Sequence, residues 1–90
     1  MNLPTSVIVS SEVMARQVGE EVVLLDLASG NYFGLDAVGA RIWQLITDGS
    51  TPEQVVAALV REYAVEEDTA RSDTSRLLAE LAAQGLVELK

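Results

Sequence analysis

The stretch EVVLLDLASGNYFGLDAVGARIWQLITDG, residues 21–49, decides the fold, because the period of its apolar residues changes partway along it. Up to Leu35 the period is close to two, as a strand requires; from Asp36 it is near 3.6, as a helix requires. Glu21 to Leu27 is rich in β-branched and aliphatic residues and reads as a strand. Val22 to Leu25 is apolar on both faces, which fits a central strand or one covered on both sides. Ala28-Ser29-Gly30-Asn31 has turn chemistry, Gly30 and Asn31 both tolerating positive φ. Asn31 to Leu35 then forms the next short strand. Asp36 stands where an N-cap is wanted, its carboxylate able to accept from the free amides of a first helical turn. That helix runs to about Thr47, with Val38, Ile42, Leu45 and Ile46 on one stripe. Asp48-Gly49 closes it, glycine suiting the left-handed position past a helix end.

On the N-terminal side, Val13 to Val18 alternates weakly and Gly19-Glu20 makes a turn, which completes a three-stranded antiparallel meander. Residues 1–11 are expected either to be loosely ordered or to add a short strand at Val7-Ile8-Val9. On the C-terminal side, Thr51-Pro52-Glu53-Gln54 combines a cap, a proline at the first helical position and a capping-box glutamine. The helix it opens carries Val55, Val56, Leu59, Val60 and Tyr63. Glu66-Glu67-Asp68 opens a third helix, where negative charge suits the helix dipole. Its apolar stripe is Ala70, Thr74, Leu77, Leu78 and Leu81, and Gly85 ends it. Leu86-Val87-Glu88-Leu89 is a final extended piece. Three strands followed by three helices make an α+β domain, with the helices on one face of a small sheet.

Ninety residues support one core, so residues 1–90 form a single domain. The chain contains neither cysteine nor histidine. That removes disulfide scaffolds, zinc sites built on Cys or His, and thiol or imidazole catalysis. Missing cysteines point to the cytoplasm. Met1-Asn2-Leu3-Pro4-Thr5-Ser6 lacks the basic start and apolar run of a signal peptide. No apolar run approaches the ~20 residues of a membrane span. The formal charge is −8, and the six cations are scattered at Arg16, Arg41, Arg61, Arg71, Arg76 and Lys90. A nucleic-acid binder needs a basic stripe, which this chain does not have.

Enzymatic constellations are weak. Glu66, Glu67 and Asp68 read as a helix-start charge cluster rather than a metal site, because the ligand spacing of a calcium loop is absent. The serines have no histidine to activate them. Gly30, Gly34 and Gly39 lack the spacing and the following lysine of a phosphate loop. Asp26, interrupting an apolar strand, is either a solvent-facing residue near the hairpin turn or a polar contact to a ligand. Trp43 is either core or an anchor for a partner. The strand Asn31–Leu35 is more informative. As the last of the meander it is an edge with unpaired N–H and C=O groups, and it carries no Lys, Pro or bulge to blunt it. Gly34 lets another backbone come close. Either the third helix covers this short edge, or an extended peptide adds to it as a further strand.

Taken together, these residues resemble the PqqD-like proteins, the leader-recognition elements of ribosomally made peptide natural products. The resemblance covers about residues 12–89. It rests on three passages: Leu24-Leu25-Asp26 with Gly30, Tyr32, Leu35, Gly39, Ile42-Trp43 and Leu45; Gly49 with Thr51-Pro52-Glu53, Ala57, Leu59, Tyr63 and Val65; and Asp68 with Arg71, Asp73, Leu77-Leu78, Leu81 and Gly85-Leu86. The chain is most similar to the stand-alone recognition proteins of lasso-peptide pathways. The resemblance implies a winged-helix-like fold, a three-stranded antiparallel sheet followed by a three-helix bundle. It implies no catalytic residues and no cofactor. It implies that a leader peptide adds to the third strand, in the cleft beside the third helix, and is presented to a leader peptidase (a cysteine protease) and a cyclase.

Carried onto this sequence, the pairing strand is Asn31, Tyr32, Phe33, Gly34 and Leu35. Arg71, Thr74, Ser75 and Leu78 form the opposite wall, and Val23 and Leu25 floor a pocket for an apolar leader side chain. Asp73 matches a family aspartate. Two other readings stand beside this one: a subunit or regulatory winged-helix domain that acts only with an enzyme partner, and a DNA-binding winged helix, which the charge disfavours. The open edge admits either a monomer or an edge-paired dimer.

Overall fold

The computed structural model describes residues 3–90, so the first two residues of the N-terminal stretch lie outside it. The chain runs β1 (Val7–Val9), β2 (Val13–Val18), β3 (Glu21–Asp26), β4 (Tyr32–Leu35), α1 (Ala37–Thr47), α2 (Pro52–Tyr63), α3 (Glu67–Ala83) and β5 (Val87–Leu89). Strands β2, β3 and β4 form the expected antiparallel meander, with β3 in the centre.

Local chemistry sets the junctions. Asp26 closes the β3–β4 loop on itself, its carboxylate accepting from the Ala28 N–H (3.0 Å) and the Ser29 hydroxyl (2.8 Å). Gly30, at φ +80, takes the left-handed residue of that loop. Asp26 is thus the turn-shaping residue of the hairpin. Asp36 caps α1 by accepting from the Gly39 N–H at 2.8 Å. Thr51 and Gln54 form the reciprocal capping box of α2, and Pro52 begins the helix. Glu67 and Asp68 occupy the first turn of α3.

The chain does not end on its helices. Strand β5 returns beside β1 as a second, two-stranded antiparallel sheet, with Val7 opposite Leu89 and Val9 opposite Val87. The short N-terminal strand therefore exists, and the C-terminal extended piece is its partner. Ladder bonds continue past both strands, from the Ser10 N–H to the Leu86 carbonyl and from the Lys90 N–H to the Ser6 carbonyl.

Two apolar clusters share the interior. One joins the three helices through Ile42, Ile46, Val55, Leu59, Ala70 and Leu78. The other lies under the main sheet and gathers Leu24, Leu35, Trp43, Leu81, Leu86 and Val87. Trp43 is core, packed beneath the sheet. Val7, Val9, Leu77 and Leu89 touch both clusters, so the small sheet and the middle of α3 bind the two halves of the core together.

Candidate functional site

Side chains alternate across the meander, so each strand has an inner and an outer set. Register pairs Leu24 with Phe33 and Val22 with Leu35. These four face the helices: Leu24 and Leu35 are buried, and Val22 and Phe33 pack against the same cluster. Val23, Leu25, Tyr32 and Gly34 therefore belong to the outer face, where Tyr32 is 73% exposed.

Hydrogen-bond alternation fixes which backbone groups are free. The Asp26 N–H donates to the Asn31 carbonyl at 2.9 Å, and on the other side the Leu27 N–H donates to the Glu12 carbonyl at 2.8 Å. In an antiparallel ladder, bonded and non-bonded pairs alternate. Phe33 and Leu35 thus turn their amides and carbonyls inward to β3, and Tyr32 and Gly34 turn theirs to the open edge. Asn31 gives β3 its carbonyl, while its N–H donates to the Ser29 hydroxyl oxygen at 3.2 Å.

Beside that edge lies a groove of about 420 Å³. Phe33, Gly34 and Leu35 form its strand side; Asp36, Val38, Gly39 and Ile42 come from the β4–α1 corner. Its far wall is α3, through Asp73, Arg76, Leu77 and Glu80. Those four positions follow the three- and four-residue spacing of a single helix face. The floor is apolar and the rim is charged. Arg76 spans to Asp73 at 3.0 Å, and Asp36 is engaged with its own helix start. Glu80 has no ion-pair partner among the described residues.

The strand residues expected at the site lie at this groove or its edge: Phe33, Gly34 and Leu35 line it, Tyr32 presents backbone to the edge, and Asn31 sits in a shallow depression at the strand's start with Gln84. The expected helix residues do not. Thr74 and Leu78 are fully buried in the core. Arg71 turns to α2, where its guanidinium grips Glu53 at 2.6 and 3.0 Å. That bidentate bond holds the Glu53 carboxyl below its ordinary range. Ser75 follows Arg71 by one turn on the same side. Asp73, singled out for its position in the resemblance, does line the groove; Arg76, Leu77 and Glu80 were missed. Val23 and Leu25 do not line the groove; strand alternation places them on the opposite face of the sheet from its floor, with Val23 opposite Gly34. The floor comes instead from Val38 and Ile42 of α1 and from Leu77.

The comparisons agree with this architecture. Two solved structures share the fold. One, described as TbiB1 in complex with the TbiA(β) leader peptide, is 44% identical with a TM-score of 0.86, covering 90% of this chain and 94% of that one. The other, lasso peptide synthetase B1 complexed with the leader peptide, is 32% identical with a TM-score of 0.84, covering 92% and 98%. Both match an α+β, winged-helix-like arrangement of three antiparallel strands and three helices. No match was found among curated proteins. The family model for coenzyme PQQ synthesis protein D matches residues 21–87, and the chain belongs to the PqqD family.

Proposed function

We propose that this protein binds the leader region of a ribosomally made precursor peptide of the lasso type, as an added strand on β4, and presents it to a processing enzyme. One observation carries the reading: the unblunted β4 edge opens directly onto an apolar-floored groove, in a chain whose structural relatives are described in complex with leader peptides. Tyr32 and Gly34 offer two N–H and two C=O groups to an incoming backbone. Each such bond contributes about 0.5–1.5 kcal/mol net. A buried apolar anchor adds ~1.5–3 kcal/mol, and ordering the leader costs ~2–5 kcal/mol. The favourable end of these ranges corresponds to a dissociation constant of about 10 μM, and tighter binding requires a further buried anchor. The role is recognition without turnover, in the cytoplasm, beside a leader peptidase of the cysteine-protease type and a cyclase.

A second arrangement, in which the protein works as a stable subunit of its enzyme partner, is favoured by the outer sheet face. Met14, Val18 and Tyr32 are 58%, 57% and 73% exposed there. Co-purification of the tagged protein with the peptidase, before any peptide is added, distinguishes a subunit from a free-standing adaptor.

The test of leader recognition is fluorescence-polarisation titration of labelled leader peptides from neighbouring precursor genes. Gly34→Pro removes the edge N–H and crowds the incoming strand. It is expected to abolish binding with an unchanged helical circular-dichroism signal. Gly34→Ala is the control, since a Cβ at Gly34 meets nothing within 4 Å. Full affinity in Gly34→Pro with an intact spectrum would remove β4 from the site.

A further inference from the structure

The rim of the groove has a sign. Three carboxylates, Asp36, Asp73 and Glu80, face one guanidinium, Arg76. The guanidinium already has its partner in Asp73, and Asp36 accepts from the start of α1. Glu80 is the charge left over, and it stands one turn from Leu77 on the wall of the groove.

Position gives that charge a reading frame. Gln84, at the end of α3, lies against Asn31–Phe33, at the start of β4, so the helix runs antiparallel to the strand. Glu80 therefore borders the Phe33 end of the groove, and the apolar floor of Val38, Ile42 and Leu77 borders the Leu35 end. Residues three apart on a helix have Cβ atoms about 5–6 Å apart. A strand repeats its side chains on one face every two residues, about 6.6–6.8 Å. A peptide added to β4 thus meets the apolar floor with one side chain and Glu80 with the side chain two positions away.

We propose that Glu80 is a specificity-determining residue, selecting a leader that carries lysine or arginine two positions from its apolar anchor. The inference rests on the leader-peptide reading and names the chemistry of its ligand. A leader pairing antiparallel to β4 places the basic residue C-terminal to the anchor; parallel pairing places it N-terminal. An acidic leader residue at that position would meet a rim of its own sign.

The probe is the fluorescein-labelled leader peptide of the precursor encoded beside this protein, with variants in which each Lys or Arg is replaced by Glu. Titrations compare the unaltered protein with Glu80→Gln, Glu80→Lys and Glu12→Lys. The last makes the same net-charge change away from the groove. Glutamine and lysine are both good helix formers, so the Glu80 variants retain α3. For an exposed pair the expected loss is roughly threefold in Glu80→Gln and roughly tenfold in Glu80→Lys, where attraction becomes repulsion. Glu12→Lys should stay within twofold, and one Lys→Glu or Arg→Glu leader should recover affinity only with Glu80→Lys. Tight binding indifferent to Glu80, or equal losses in Glu80→Lys and Glu12→Lys, overturns the selection by Glu80 and leaves leader recognition standing. A leader that the unaltered protein does not bind overturns both.

Discussion

Thr74 sits at the middle of α3 with no exposure to solvent, and its hydroxyl oxygen has no hydrogen-bond partner. A threonine in a helix ordinarily returns its hydroxyl to the carbonyl four residues earlier; here that bond is not made. A buried hydroxyl without a partner costs about 1–3 kcal/mol in lost hydration. Thr74→Val keeps the branched shape and removes the orphaned oxygen, so it is expected to raise stability by about 1–2 kcal/mol, read as a higher urea midpoint at unchanged slope. Leader affinity should not move, because Thr74 faces the core. A destabilised variant, or one that no longer binds leader, would mean that the hydroxyl is used. The same residue shows why the groove wall was hard to read in advance. Thr74 is polar and lies in the core, whereas Leu77 is apolar and lines the groove. Each argues for the other's position, and the adjacent Leu77-Leu78 pair fits either phase of the helix. Strand faces were open to a similar error: Val22 to Leu25 is apolar throughout, so nothing in composition alone separates inner Leu24 from outer Val23 and Leu25.

Among the elements, the strand-to-helix switch at Asp36 was legible because three signals coincide there: the change of period, the capping carboxylate and the end of the β-branched run. The capping box of α2 was legible for the same reason. Pairing of β1 with β5 was not, because two three-residue strands at opposite ends of the chain carry no local signal of each other. Yet β1 has structural weight. Val7 and Val9 pack against both apolar clusters, and ladder bonds at Ser10 and Lys90 place Ile8 at a bonded position opposite Glu88. Ile8 itself is half exposed, so its side chain contributes little. Ile8→Pro therefore tests the ladder rather than the packing: it removes the N–H and prevents strand closure. An expected loss of about 1–3 kcal/mol should appear in urea unfolding, with leader affinity of the folded protein unchanged, since the β4 groove lies elsewhere. An unaltered midpoint would show that the small sheet adds nothing to stability.

Over the whole molecule, charge acts oppositely on folding and on binding. Among the described residues, four of the fourteen carboxylates form ion pairs, with Arg41, Arg71, Arg76 and Lys90, and the other ten have no ion-pair partner there. Salt weakens both the pairs and the repulsion among the remainder. The pairs are at least partly exposed and two are between near neighbours in sequence, so they hold little of the stability. The excess of −8 is confined to a body of 36 × 30 × 19 Å. At 0.01 M ionic strength the screening length is about 30 Å, so every carboxylate feels every other; at 0.15 M it is about 8 Å and most of that repulsion is gone. Self-repulsion disfavours the compact state, so raising NaCl from 10 to 150 mM should lift the melting temperature by roughly 2–5 °C, the shift that several tenths of a kcal/mol produce in a domain of this size. The same addition should weaken a leader whose basic residue meets Glu80, because that attraction is screened too. Differential scanning fluorimetry and polarisation titration across one salt series therefore read both signs at once. A melting temperature that falls with salt would mean that the ion pairs outweigh the excess charge. Rising stability with constant leader affinity would assign the charge a role in folding and solubility, with the apolar floor and the strand edge supplying recognition without it.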